Sequence, residues 1–292
     1  MRSLDVVYSL NPDNYLIVKV ANSMGSDMAR TILALAFLIF ALSSALAGDK
    51  PGLDDVQKDF ILMLGVNEYQ VKEKVLNNIK HRGFFPGALG IARDISSAKT
   101  LQRYEVFLMF NMLESRYDPD RTSYVLSSSF RYRLLRKFPK TGVYFSYSLG
   151  GGISAEHDLV YFYNWDWNRT YWLTSYNLTL DGLLDRELSN ESSCWLEASM
   201  PVLALVSRPP HRFLDKMGRP DLAGLLGEIH DNMRLTSLHE HFLGKVKLGY
   251  TVRKSTGSRR DLFWQIKYAR SSMPYSRTIE ILSHVFGVQF YF

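Results

Sequence analysis

The chain has 292 residues, of which 46% are hydrophobic, 13% aromatic and 22% charged, and its formal net charge is +6. The basic excess is modest and spread along the chain, which excludes the clustered basic face that nucleic acid requires. A single cysteine, Cys194, excludes an intramolecular disulfide framework.

Residues 32–47 read ILALAFLIFALSSALA, with Arg30 just before them and no further charge until Asp49. An apolar stretch that ends in Ala45-Leu46-Ala47 has the layout of a secretory signal peptide. It is too short for a comfortable membrane span, which takes about 20 residues. Counted from Met28 the signal is well proportioned, with Arg30 as its positive end. Residues 1–27 are therefore expected to be an upstream start-site extension, residues 28–47 the signal peptide, and Ala47 the last residue before cleavage. The alternative is a single-span anchor behind a short cytoplasmic tail. Residues 1–47 hold Arg2, Lys19 and Arg30 against Asp5, Asp13 and Asp27, so cleavage leaves the charge of +6 unchanged. Sequons at Asn168, Asn177 and Asn190 would accept glycans in a eukaryotic secreted protein, whereas a bacterial one would leave them bare.

Residues 48–100 look helical or irregular. Over 53–80, Val71, Val75 and Ile79 recur at spacing four behind Asp54 and Asp55, which predicts one or two short helices interrupted near Gly65. Such a segment would serve as a periplasmic extension or a plug. The Gly and Pro content of 81–90 predicts a loop or an irregular edge.

From about residue 101 the period changes to two. In 121–135, Tyr124, Leu126, Phe130, Tyr132 and Leu134 share one face, while Ser127, Ser129, Arg131 and Arg133 share the other. A turn at Pro139–Gly142 leads to Val143, Phe145, Tyr147 and Leu149 on one face, completing a hairpin. Further strands are expected at 103–115, 158–167, 170–180, 194–208, 245–254 and 260–270. Tyr161, Tyr163, Trp165, Trp167, Tyr171, Trp172 and Tyr176 gather as a candidate interfacial girdle or an aromatic core. Alternation breaks over 208–244, where Pro209, Pro210, Pro220 and a helical pattern after Asp221 predict a long excursion.

The chain closes on a strand with Phe286, Val288, Phe290 and Phe292 on one face and Val285, Gly287, Gln289 and Tyr291 on the other. This end resembles the closing strand of Gram-negative outer-membrane β-barrels, which typically carry Gly-x-x-aromatic-x-aromatic. Gly287, Phe290 and Phe292 match it. The resemblance implies an all-β, antiparallel transmembrane barrel over residues 101–292. Nine strands are visible, and single-chain bacterial barrels use even numbers. Ten is therefore expected, with one strand hidden near 83–96; eight and twelve stay open. The resemblance also implies outer-membrane localisation and contact with membrane lipids and lipopolysaccharide. Periplasmic chaperones and the barrel assembly machinery are the implied assembly partners, and no cofactor is implied.

His239-Glu240-His241 puts two imidazoles on one face of a strand, making His239 and His241 candidate metal ligands, although no second pair at metal-ligand spacing supports them. His157-Asp158 followed by Trp167-Asn168-Arg169 resembles outer-membrane phospholipase A, in which a His-Asp-Ser-Asn-Gly segment precedes a Trp-Asn-Arg segment. That resemblance would make His157 the base and Asn168 the residue that orients it. Leu159 stands at the nucleophile position, and without a hydroxyl there no acyl-enzyme forms, which weighs against an enzyme. Three roles remain: a structural, binding or transport barrel, an outer-membrane lipid-modifying hydrolase, and a soluble exported β-protein.

Overall fold

The computed structural model describes residues 56–73, 80–115, 122–138, 145–162, 169–208, 227, 229, 231–236, 238–253, 258–272 and 278–292. The strands are β1 (Gln57–Glu73), β2 (Lys80–Ser96), β3 (Thr100–Ser115), β4 (Thr122–Lys137), β5 (Phe145–Phe162), β6 (Arg169–Ser189), β7 (Ser192–Ser207), β8 (Arg234–Thr236), β9 (His241–Arg253), β10 (Arg259–Ser271) and β11 (Ile279–Tyr291). The ten long strands pair antiparallel in chain order, β7 going on to β9, and the short β8 pairs antiparallel with the far end of β7. The ring closes between β1 and β11, from Ile61↔Tyr291 to Glu73↔Ile279. Phe60 and Phe292 complete it by exchanging both backbone hydrogen bonds, at 3.1 and 2.9 Å. Ten long strands thus form an up-and-down barrel with no long free edge.

Side-chain alternation decides what the two faces are. On β10, Asp261, Phe263, Gln265, Lys267 and Ser271 point inward and are buried, while Leu262, Trp264, Ile266 and Tyr268 point outward. The same inversion runs round the ring. Arg103, Glu105, Arg131, Arg133, Glu156, Asp158, Glu197 and Lys247 are buried, whereas Ile153, Leu178, Leu180, Leu262 and Phe286 are more than half exposed. A water-soluble sandwich would place these groups the other way round. The aromatic faces do not form an ordinary core, and the soluble β-protein reading falls with them.

The two ends of the barrel differ. The termini of the ring, the two-residue β6–β7 connection (190–191) and the β2–β3 connection (97–99) lie at one end. The opposite, loop end carries the excursion between β7 and β9, with β8 inside it.

Four expectations are corrected. The helical reading of 53–80 gives way to strand over Gln57–Glu73, because the ladder to β2 and β11 satisfies that backbone; residues 48–55 and 74–79 lie outside the described residues. The loop expected over 81–90 is part of β2, the hidden strand, and its irregularity is confined to register shifts at Val66/Glu68 and Arg82/Ala88. The two strands expected at 143–150 and 158–167 are one, β5, through Gly150-Gly151-Gly152. In the expected girdle, Tyr161 and Tyr176 do face outward, but Tyr171 is buried on the lumen side; Tyr163, Trp165 and Trp167 lie outside the described residues. Residues 1–47, with Ala47, also lie outside them.

Candidate functional site

The lumen is the part of the molecule where chemistry-bearing side chains converge, and they meet in tiers. Nearest the turn end, Asp261 accepts from Tyr291 Oη at 2.6 Å, from Trp195 Nε1 at 3.1 Å and from Arg259 at 3.2 Å. Beside it, Arg103 holds Asp94 through two hydrogen bonds of 2.5 Å and reaches Glu197 at 2.6 Å. Arg133 donates to the same Glu197 oxygen at 2.6 Å, so one carboxylate of β7 ties β3 and β4 across the interior. Arg131 pairs with Asp181. Lys247 stands 3.8 Å from Glu105, 3.3 Å from Gln289 Oε1 and 4.5 Å from the centre of the Phe263 ring.

Towards the loop end a second network follows. Lys267 on β10 donates to both oxygens of Asp158 on β5, at 3.0 and 2.7 Å, and lies 3.4 Å from Glu156. Lys245 pairs with Glu156, and Tyr69 Oη donates to Asp158 at 3.1 Å. Above these ions lies an apolar tier supplied by nine of the ten long strands, including Val71, Leu113, Val160, Leu173, Leu243 and Ile281. Paired ions carry a large desolvation cost that their mutual attraction and hydrogen bonds must offset. Such networks fix one arrangement of the wall and fill its centre.

Local sequence makes room for these groups. On β5, a Cβ at Gly150 would fall 2.0 Å from the Leu134 carbonyl oxygen, and one at Gly152 would fall 2.2 Å from that of Tyr132. Lacking side chains, these positions let β5 lie close against the β4 backbone, and the second also leaves room beside the Asp181 carboxylate. On β9, a Cβ at Gly249 would sit 2.1 Å from the Trp195 ring, so the indole lies flat over a glycine. A shallow open groove of about 520 Å³ runs over the outer wall nearby, lined by Leu184, Leu196, Leu248, Tyr250 and Leu262 among others.

The residues singled out from the sequence are scattered. His157 faces outward, half-buried, with Nδ1 3.2 Å from Thr174 Oγ1 and its ring edge-on to Tyr176 at 5.7 Å. Leu159 lies two residues along the same outer face, and Asn168 lies outside the described residues. His239 is exposed in the turn before β9, whereas His241 is buried facing the lumen, so the pair does not share an environment. Among the described residues no three His, Cys, Asp or Glu side chains gather as a metal site. Gly287 faces inward against the Phe263 ring, and Phe290 and Phe292 face outward. Asn177 lies inside the barrel, bonded to Ser154 and Ser175. Sequence reasoning placed Arg131 and Arg133 together on the polar face of their strand but missed their partners Asp181 and Glu197.

No family model matches the chain, and no curated protein matches it. Solved structures do. The outer-membrane protease OmpT of Escherichia coli superposes with a TM-score of 0.50 at 7% identity, over 82% of this chain and 97% of that one. The translocator domain of the autotransporter NalP from Neisseria meningitidis gives 0.43 at 8%, over 91% and 98%. The transport unit of the Escherichia coli autotransporter AIDA-I gives 0.36 at 7%, over 86% and 96%.

The fold is that of a Gram-negative outer-membrane β-barrel. The apolar outer face and charged interior are what that location demands of a sheet, and the OmpT likeness carries the fold alone.

Proposed function

We propose that the protein is an exported outer-membrane barrel of structural or binding type, and that its lumen is closed to passive conduction. The observation that carries this reading is the filled interior. Arg103, Arg133 and Glu197 bridge the barrel at one level, Lys267 and Asp158 at another, and the apolar tier caps both. A barrel of about this strand number has an interior that side chains can fill. The role then lies on the outer face and in the loop-end connections, where recognition by barrels usually sits. Export through cleavage after Ala47 belongs to the same reading. So do contact with lipid and lipopolysaccharide and delivery by the assembly machinery through Gly287, Phe290 and Phe292. A planar-bilayer recording on the refolded wild-type barrel tests it: no steady current above the protein-free bilayer is expected, and a stable ohmic current overturns it.

A further inference from the structure

Cations on the outer face of the barrel are partnered differently at its two ends. Towards the loop end they face carboxylates across the ladder: Arg82 stands opposite Glu114, and Glu280 stands between Lys72 and Arg270. Arg82 also reaches Glu68 at 2.7 Å. Towards the turn end stand Arg93, Arg136, Arg186 and Arg260, and none of these has a carboxylate opposite it in the ladder. They meet rings instead. Arg136 lies over Phe138 at 5.8 Å, Arg186 over Phe145 at 5.1 Å and Arg260 over Phe290 at 5.8 Å, while Arg93 stands between Phe60 and Tyr104. A ring face holds a guanidinium without neutralising it, so this band stays positive.

One of these arginines stands at the head of the outer groove. The ladders place Phe145, Arg186, Cys194, Tyr250 and Leu262 in one row across five strands. That row dips at its centre, where a short cysteine stands between an arginine and a tyrosine. The next row towards the loop end carries Leu184, Leu196 and Leu248, and the groove of about 520 Å³ spans both rows. A third row is low again, with Gly182 and Ala198 side by side between Leu149 and Val246. A chain entering over Cys194 can thus run on along the wall. Arg186 lies three residues from the end of β6 at Ser189. On a strand tilted by about 45° that is about 7 Å along the barrel axis, the depth of one head-group layer.

We propose that this groove holds one anionic phospholipid, with its phosphodiester on Arg186 and an acyl chain laid over Cys194 and along the leucines. The proposal rests on the membrane-barrel reading above. Charge selects the occupant. A zwitterionic head group brings an ammonium that wants a carboxylate, and among the described residues no strand carboxylate points outward in this band. An anionic head group brings only the charge that a guanidinium binds best.

Native mass spectrometry of the refolded chain, incubated with equal amounts of phosphatidylglycerol and phosphatidylcholine, tests the site. The wild type is expected to retain a single phosphatidylglycerol, about five-fold over phosphatidylcholine, as one exposed ion pair allows. Arg186→Gln is expected to level the two lipids. Cys194→Trp fills the floor of the groove with the arginine in place, and is expected to remove both adducts. Arg270→Gln, outward at the loop end, should change neither. Variants are compared in their heat-modifiable, folded form, and the wild-type preference decides alone should one fail to fold. Equal retention of the two lipids by the wild type overturns the site, as does a preference that survives Arg186→Gln or falls equally in Arg270→Gln. Insertion into phosphatidylcholine vesicles separates the two levels of the argument: a chain that does not insert overturns the membrane reading, whereas an inserted chain without the preference overturns the site alone.

Discussion

The side-chain amide of Asn111 donates to Oδ1 of Asn67 at 2.6 Å, and Asn67 donates onward to three backbone carbonyls. Those carbonyls belong to Pro86 and Gly87 on β2, at 3.0 and 3.1 Å, and to Phe110 on β3, at 3.1 Å. They stand where the β1–β2 and β2–β3 registers shift and the ladder alone leaves acceptors over. Two asparagines inside the barrel therefore stitch a bulge that the backbone cannot close. Asn67→Ala is expected to destabilise the barrel by about 1–3 kcal/mol, the cost of leaving buried polar groups unsatisfied. Lys58→Ala, at an exposed position, should stay within about 0.5 kcal/mol. Urea unfolding of the refolded barrel compares them, and equal midpoints would remove Asn67 from this role.

Glu197 is shared by Arg103 and Arg133, and among the described residues Arg103 holds a second carboxylate, Asp94, as well. Glu197→Gln should cost about 3–5 kcal/mol, since it strands a buried guanidinium. Adding Arg133→Met should recover part of that loss. A double-mutant cycle by denaturant unfolding checks the coupling, and strict additivity would show that the pair is not one unit.

Gly249→Ala places a methyl group 2.1 Å from the Trp195 ring, so the indole must move. A loss of about 1–3 kcal/mol is expected from overpacking, with a changed near-ultraviolet aromatic signal. Trp195→Leu in the same chain should relieve the strain. A neutral Gly249→Ala with an unaltered aromatic spectrum would contradict the packing described.

The Phe292 side chain is 75% exposed, and its ring lies 6.4 Å from that of Phe60. Phe292→Ser should therefore change the stability of the refolded barrel by less than about 1 kcal/mol. In cells, the heat-modifiable form recovered from the outer membrane should fall several-fold, because recognition of the closing strand is impaired. Undiminished assembly would mean that the aromatic terminus is not read.

His157→Ala is expected to leave any esterase activity of purified protein unchanged, since the outer-face position two residues on is Leu159. A fall in activity specific to this variant would restore the hydrolase reading, with the Thr174 hydroxyl at 3.2 Å as its first suspect.

Strands β4, β10 and β11 were legible because their two faces differ in kind, as Arg131 and Arg133 differ from Tyr132 and Leu134. β1, β2 and β3 were not, or had no clear register. Their inward residues Ile61, Met63, Ala88, Phe107 and Met109 form an apolar cluster with Trp195, Phe263 and Val285, so both faces read alike and the period of two fades. The glycines of β5 looked like a break between strands, yet the strand runs on through them, close against the β4 backbone. The lumen partners were hidden for another reason. Arg103 and Glu197 are 94 residues apart, Arg133 and Glu197 64, and Arg131 and Asp181 50, separations at which no local pattern marks a pair.

The pairing of β1 with β11 has a consequence for how the chain must be handled before it folds. Its thirteen matched positions join β1 to β11, so the ring cannot shut until β11 has left the ribosome. Until then β1 is an unsatisfied edge, and the leucine-rich outer face has no bilayer to enter. Loop closure over so long a span is entropically late, and an exposed edge is a template for aggregation in the meantime. Pairing of β1 with β11, rather than formation of any one hairpin, is therefore the step that commits the barrel.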